Sequence, residues 1–303
     1  MQVVLTRFRA LHPRRRAVVL MLTAVICFSV LETTGKYLSQ YYPVIEVVWA
    51  RYTVHALLMV VLLAPRVGWT MVRTAQPVGQ VLRAALLMGS TLCNFAALSF
   101  LPLAEVKAIS FVSPLLVTVF AVWLLKEKVT RPRWIAVVVG FLGTLFIVRP
   151  GSDMLSWASL LALGTALCCS LYQIMTRQFS EDEDPLATLF YTAIVGCVAL
   201  SLVMPLLWVS PSGAHLGLFL LLGTAGAVGH FLLIKALEIE RASALSPFGY
   251  RQLLWVTLLG FLVFGQLPDR HAVVGMAIIV GSGLYVAREA LIKSHNARCI
   301  RCG

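Results

Sequence analysis

Apolar positions along this chain do not alternate with polar ones. They run together in ten blocks near residues 17–38, 43–64, 81–101, 103–124, 132–149, 154–178, 185–208, 215–238, 244–266 and 271–290. A helix needs roughly 20 mostly apolar residues to cross a bilayer, because hydrocarbon offers no partner to a backbone polar group outside the helix itself. Short connectors carrying Pro, Gly and charge separate the blocks: Tyr41-Tyr42-Pro43, Leu101-Pro102, Arg149-Pro150-Gly151, Ser210-Pro211-Ser212-Gly213 and Leu267-Pro268-Asp269. None leaves room for a soluble domain. The pattern therefore predicts an all-α integral membrane protein with ten transmembrane helices. The first block follows Arg14, Arg15 and Arg16 as a secretory signal would, but Phe28-Ser29-Val30 is not a small-residue cleavage site, so it reads as a retained helix.

Composition agrees. Of the 303 residues 59% are hydrophobic and 13% charged, against about 25% charged in soluble domains, and the mean hydropathy is +0.87. Charge then sets orientation, since Lys and Arg near span ends stay on the cytoplasmic side. With the N-terminus inside, the cytoplasmic segments collect 19 basic residues, the outer ends keep Lys36, Lys107, Arg149 and Arg270, and Arg51 and Arg251 fall within spans. Both termini are expected in the cytoplasm. Anionic lipid headgroups and topology account for the net charge of +12, and no nucleic-acid partner is called for.

Two stretches repeat at an offset of 139. Ala97 and Leu98 return as Ala236 and Leu237, Val117 and Thr118 as Val256 and Thr257, Phe111 is answered by Tyr250 and Arg149 by Arg288. The expected organisation is a basic N-terminus (1–16), a first five-helix repeat (17–150), a second (151–290) and a tail (291–303). Five is odd, so the second repeat enters the membrane inverted. Duplicated apolar spans of this kind are the ground plan of secondary transporters, which bind cargo near the midplane between the repeats.

The run Leu98-Ser99-Phe100-Leu101-Pro102-Leu103-Ala104-Glu105, continued by Ser113-Pro114-Leu115 and Leu125-Lys126-Glu127-Lys128, resembles the EamA-type domain of the drug/metabolite transporter superfamily. So does Pro43 with Arg51 eight residues on. The second half repeats the pattern more weakly in Ala236-Leu237, Pro247 and Phe264-Gly265-Gln266, with Gln266 where the family usually has Glu; Lys107 also departs from a position that is more often small or polar. The resemblance implies ten helices as two inverted repeats, the bacterial inner membrane, no cofactor, and export of amino acids or related metabolites, with aromatic ones the nearest branch. Antiport of sugar phosphates or nucleotide sugars, as in other branches, is the alternative.

Ionisable and polar side chains inside spans are the candidates for cargo contact, since each is costly in hydrocarbon and tends to face a wet cavity or a partner. Glu32 and Lys36 share one face of the first span at i and i+4, either neutralising each other or meeting a zwitterion by exchanging partners. Lys107, Phe111 and Pro114 share a face of span four; shifted by 139 they become Ser246, Tyr250 and Leu253 on span nine. Rings at Phe111 and Tyr250 would then face each other across the cavity, with Lys107 drawing a carboxylate or snorkelling to the headgroups. Pro114 and Pro247 are candidate hinges or static kinks. Arg51 is expected to satisfy backbone carbonyls at a helix end or to bind a carboxylate, and Arg251 beside Gln252 poses the same choice. His230 is a hydrogen-bonded core residue or a proton carrier, after the three packing glycines Gly223, Gly226 and Gly229. Asn94, Tyr172, Gln173 and Trp255 complete the candidate cavity. Protons are a candidate co-substrate, with Glu32 the first group to carry them.

Other chemistry finds little footing. Cys27, Cys93, Cys168, Cys169 and Cys197 lie in spans as small apolar groups, and His295 with Cys299 and Cys302 falls one ligand short of a structural zinc set. No metal is expected. The run Glu181-Asp182-Glu183-Asp184 reads as a solvated cytoplasmic loop. An intramembrane enzyme or lipid-handling protein would need a nucleophile with its base, or a metal set, and the spans display neither.

Overall fold

A computed structural model describes residues 12–63, 65, 68–126, 129–148, 157–179, 183–240, 245 and 248–285. Among these every regular element is helical. In chain order they are α1 (Pro13–Leu38), α2 (Val44–Leu58), α3 (Pro77–Leu98), α4 (Leu103–Ser110), α5 (Ser113–Leu125), α6 (Arg131–Val148), α7 (Trp157–Phe179), α8 (Pro185–Ser201), the single turn α9 (Met204–Leu207), α10 (Gly213–Ile239), α11 (Arg251–Phe264) and α12 (Arg270–Tyr285). Six stretches are long and apolar enough to cross a membrane: Pro13–Leu38, Val44–Leu62, Pro77–Leu98, Leu103–Leu124, Trp157–Thr176 and Gly213–Leu237. Four shorter apolar helices accompany them, Trp134–Val148, Pro185–Ser201, Arg251–Phe264 and Arg270–Tyr285.

Proline marks the starts. Pro13, Pro77, Pro114 and Pro185 occupy first-turn positions and Pro43 and Pro102 are N-caps, where a missing N–H removes no helical bond. Within apolar helices the Ser and Thr hydroxyls bond back to the carbonyl four residues earlier, as in Ser29 to Val25 at 2.8 Å and Thr91 to Leu87 at 2.8 Å, so they need no partner outside the helix. Large apolar side chains such as Trp123, Leu206 and Leu254 stand exposed, an arrangement that suits lipid.

Two expected spans are modified. The second changes to a π-helical turn over Met59–Leu63, and the fourth breaks at Phe111 and Val112 between α4 and α5. The break sits where Pro114 cannot donate a bond back to Ser110. Tyr250, 139 positions on from Phe111, likewise stands at a helix boundary, as the N-cap of α11. The two helices also end alike: Lys126 (φ 54) closes α5 and Gly265 (φ 66) closes α11, both left-handed and again 139 apart. For glycine that conformation is free, whereas for Lys126 it carries strain of about 1 kcal/mol.

The helices pack as a bundle. α1 lies along α10 and α3 along α7; α2 touches α8 and α10, α8 touches α3, α11 touches α1 and α4, and α4 and α5 both touch α7. Gly223, Gly226 and Gly229 line the side of α10 facing Val54, Leu31 and Phe28, so the glycine triplet is a close-packing face. The largest buried apolar cluster, with Leu31, Phe95, Leu98, Leu103, Ile109 and Leu222, surrounds the polar groups described next.

Candidate functional site

At the buried junction of α1 and α4, Lys107 Nζ donates to Glu32 Oε1 at 2.5 Å, with the side chains only 15% and 10% exposed. This replaces the two local expectations. Glu32 does not pair with Lys36 one turn away, and Lys107 does not reach for headgroups. Lys36 donates instead to the Leu101 carbonyl at 2.5 Å, with its ammonium 5.3 Å from the Phe264 ring centroid. That carbonyl lies just past the C-terminal end of α3, where helix carbonyls lack partners and the dipole is negative. Across the pair, the Phe111 and Tyr250 rings meet with centroids 5.1 Å apart, and Lys107 Nζ lies 5.7 Å from the Phe111 centroid. Both rings stand at helix breaks, which places the ion pair and the aromatic pair where α4, α5 and α11 begin or end.

A second polar cluster occupies the junction of α2, α3 and α10. Arg51, 5% exposed, donates from Nη1 to Thr91 Oγ1 at 2.5 Å and Tyr52 Oη at 3.5 Å and from Nη2 to His230 Nε2 at 3.2 Å. It satisfies hydroxyls and an imidazole, not the backbone carbonyls expected for it. Because guanidinium can only donate, His230 Nε2 must accept, which puts the imidazole proton on Nδ1. His55, buried one turn beyond Arg51, stacks on His230 with centroids 6.2 Å apart, and Phe28 meets His230 edge-on at 4.9 Å. His55, Tyr52 and Thr91 escaped the sequence reading. The spacing of Arg51 and His55, i and i+4 on one helix face, was the available signal.

The remaining candidates are dispersed. Gln173 donates to Ser113 Oγ at 3.1 Å, in a network with Ser170, and Tyr172 lies under the Arg83 guanidinium at 5.1 Å. Asn94 is half-buried; Gln252 is buried with no partner for Nε2. Arg251 and Trp255 on α11 are exposed, with the Arg251 guanidinium 5.5 Å from the Phe248 centroid. Ser246, Pro247 and the histidine and cysteines of the tail lie outside the described residues. Among the described residues no three His, Cys, Asp or Glu side chains gather as a metal site.

Two polar ties close the bundle at opposite ends. At one, Tyr42 Oη meets His215 Nδ1 at 2.9 Å and accepts from the Ser212 N–H at 3.0 Å, while Trp49 donates to Ser201 Oγ at 2.8 Å. At the other, Glu183 accepts from Thr74 Oγ1 at 2.7 Å, from the N–H groups of Ala75 and Gln76 at 3.0 and 3.1 Å, and from Gln80 Nε2 at 3.2 Å. Glu183 is thus a buried cap on the segment before α3, and Asp184 caps α8 through the Leu186 N–H at 2.7 Å. The solvated-loop expectation fails for Glu183, because orphan N–H groups at a helix start recruit the nearest carboxylate; Asp184 stays exposed while it caps, and Glu181 and Asp182 lie outside the described residues. Burial raises the Glu183 pKa, but these four hydrogen bonds outweigh it and hold the carboxyl below its ordinary value.

Comparison with known proteins bears on all of this. The EamA-like transporter family matches twice, over residues 15–149 and 156–288. The S-adenosylmethionine uptake transporter of Rickettsia prowazekii is 27% identical over 280 residues, 91% of this chain and 95% of its own. The riboflavin transporter of Vibrio cholerae is 30% identical over 294 residues, 95% and 98% of the two chains, and the pseudopaline exporter of Pseudomonas aeruginosa is 27% identical over 281 residues, 90% and 96%. A solved crystal structure superposes with a TM-score of 0.65 at 21% identity, covering 90% of this chain and 97% of the other. That likeness concerns the fold alone.

Proposed function

From the premise that the chain belongs to the EamA-like transporter family, we propose that it is a secondary transporter exporting amino-acid-type metabolites, aromatic or hydrophobic ones included, across a bacterial inner membrane. The carrying observation is the Glu32–Lys107 pair set beside the Phe111–Tyr250 pair. An opposed carboxylate and ammonium are what a zwitterion needs: its ammonium takes Glu32, its carboxylate takes Lys107, and each protein charge exchanges one partner for another without being left bare. The two rings grip the apolar body. S-adenosylmethionine, the cargo named for one relative, is itself an amino acid bearing an aromatic base, which supports the class.

Alternating access between two inverted repeats is part of the same reading. The double family match supports it, as do the paired helix ends at Lys126 and Gly265. So does the packing. Exchanging α1 with α7, α2 with α8, α3 with α10 and α4–α5 with α11 turns the α1·α10 contact into α7·α3, α2·α10 into α8·α3 and α1·α11 into α7·α4 and α7·α5, all of which occur. The ties at Tyr42–His215 and Glu183–Gln80 are then the outer and inner gates, with both termini in the cytoplasm.

Purified protein in liposomes tests the reading with labelled neutral and aromatic amino acids, S-adenosylmethionine, riboflavin and sugar phosphates, with and without a pH gradient. Saturable flux of amino acids, lost in Lys107→Met and Glu32→Gln, is the expected result. Flux of sugar phosphates alone would overturn the cargo class, and a flux indifferent to both substitutions would overturn the site.

A further inference from the structure

Arg51 carries a positive charge into the bundle, yet every acceptor it meets is neutral: Thr91 Oγ1, Tyr52 Oη and His230 Nε2. Among the described residues no carboxylate pairs with it, and its Nε, fully buried, has no acceptor. The side chain is 95% buried, being 5% exposed, and the neighbouring His55, 1% exposed, also has a ring nitrogen, Nε2, without a partner. Two buried polar atoms from one helix face therefore stand unanswered, against the rule that buried polar groups are bonded and buried charges compensated. The Gly226 backbone packs close against this edge: a Cβ there would stand 2.9 Å from Leu31 Cδ1 and 3.5 Å from Arg51 Nε. A buried guanidinium edge with one N–H unanswered is a fork short of a planar acceptor.

We propose that Arg51, with His55, Thr91 and Gly226 around it, is a carboxylate subsite, and that it takes a second acidic group of the cargo. It deepens the transport reading only in assigning that carboxylate to the cargo. Phe28, which touches the His230 ring, lies one helix turn from Glu32 on the same face of α1, roughly 6 Å along the axis. A zwitterionic head at Glu32 and Lys107 thus leaves a further carboxylate within reach of Arg51. The preferred cargo class becomes amino-acid-type metabolites with an additional carboxyl group.

Thermal unfolding of the purified full-length protein, in detergent with methanesulfonate as background anion and constant ionic strength, reads the binding without transport. Acetate is the probe, with chloride in parallel. The expected result is a saturable rise in the midpoint with acetate, absent in Arg51→Gln and in Gly226→Ala, shifted at least tenfold to higher acetate in Arg51→Lys, and retained in Arg251→Gln. Equal acetate responses in Arg51→Gln and the native protein overturn the subsite, as does a response to chloride with none to acetate. Should Arg51→Gln give no folded protein, Arg51→Lys decides by the same titration. An amino dicarboxylate acting at lower concentration than acetate, with the advantage lost in Lys107→Met, assigns the group to the cargo; acetate binding without any amino-acid response overturns that assignment. If the liposomes carry no cargo while the acetate shift persists, the transport reading fails and the subsite stands.

Discussion

Among the described residues two arginines are buried, and their surroundings differ in kind. Arg83, wholly inaccessible, donates from Nη2 to the Thr188 carbonyl at 2.6 Å and Thr192 Oγ1 at 2.9 Å and from Nε to Gln80 Oε1 at 3.1 Å. Gln80 in turn donates to the Glu183 carboxylate. The chain's own acid thus answers the charge of Arg83 through one amide, and three elements are tied together. Arg51 meets only hydroxyls and an imidazole, and among the described residues no acid follows behind them. Each arginine keeps one buried nitrogen without an acceptor, Nη1 in Arg83 and Nε in Arg51; what differs is the acid standing behind the partners of Arg83, which marks a clamp, whereas the proposed role of Arg51 is to await an anion. Burial alone therefore does not tell a structural cation from a binding one, and the identity of the second neighbour does.

Several substitutions press on that contrast. Lys107→Met strands Glu32 in the interior, and breaking a buried pair on one side costs about 3–5 kcal/mol; unfolding in detergent should show the loss, and the double substitution Glu32→Leu with Lys107→Met should recover most of it while abolishing flux. Arg83→Ala removes hydrogen bonds from a charged donor and is expected to cost roughly 3 kcal/mol, measured the same way. Were Arg83 and Arg51 equivalent, Arg51→Gln would match that loss. We expect at most about 1 kcal/mol, because no carboxylate is orphaned and a buried charge disappears.

The Glu183 cap sharpens the contrast through pH. Its folded pKa lies below the unfolded value of about 4.3, so its stabilisation is fully present above that value and is lost as pH falls through the folded pKa. The difference in unfolding midpoint between the native protein and Glu183→Gln should be constant near neutrality and close below about pH 4. A gap that persists into acid would show that the carboxylate is not what holds the 74–76 segment. Smallest of all, Tyr250→Phe keeps the ring against Phe111 and should leave stability within about 0.5 kcal/mol, while Tyr250→Ala should weaken cargo binding with an apolar body by roughly tenfold.

Much of the architecture was legible in the residues. The apolar blocks became apolar helices, the prolines marked where they start, and the offset of 139 that linked Phe111 to Tyr250 anticipated two rings now in contact. Those signals are local or periodic: helix length, helix breaking and repetition are written in neighbouring residues. Where the reading missed, a distant partner was at issue. Local spacing suggested Glu32 with Lys36, yet the ion pair joins residues 75 apart, and Arg51 finds His230 at a separation of 179. The acidic run looked solvated because nothing nearby announces that the segment before α3 will bring three donors to Glu183.

By itself, then, the sequence determined a family, a helical membrane fold and the set of polar side chains that must be accommodated inside it, because hydrocarbon permits few of either. Only the tertiary structure decided which of those side chains are neutralised by the protein and which are not. That division depends on which helices lie against one another, and inside a low-dielectric bundle a charge is answered by what stands within a few ångströms of it in space, wherever in the chain that group was encoded.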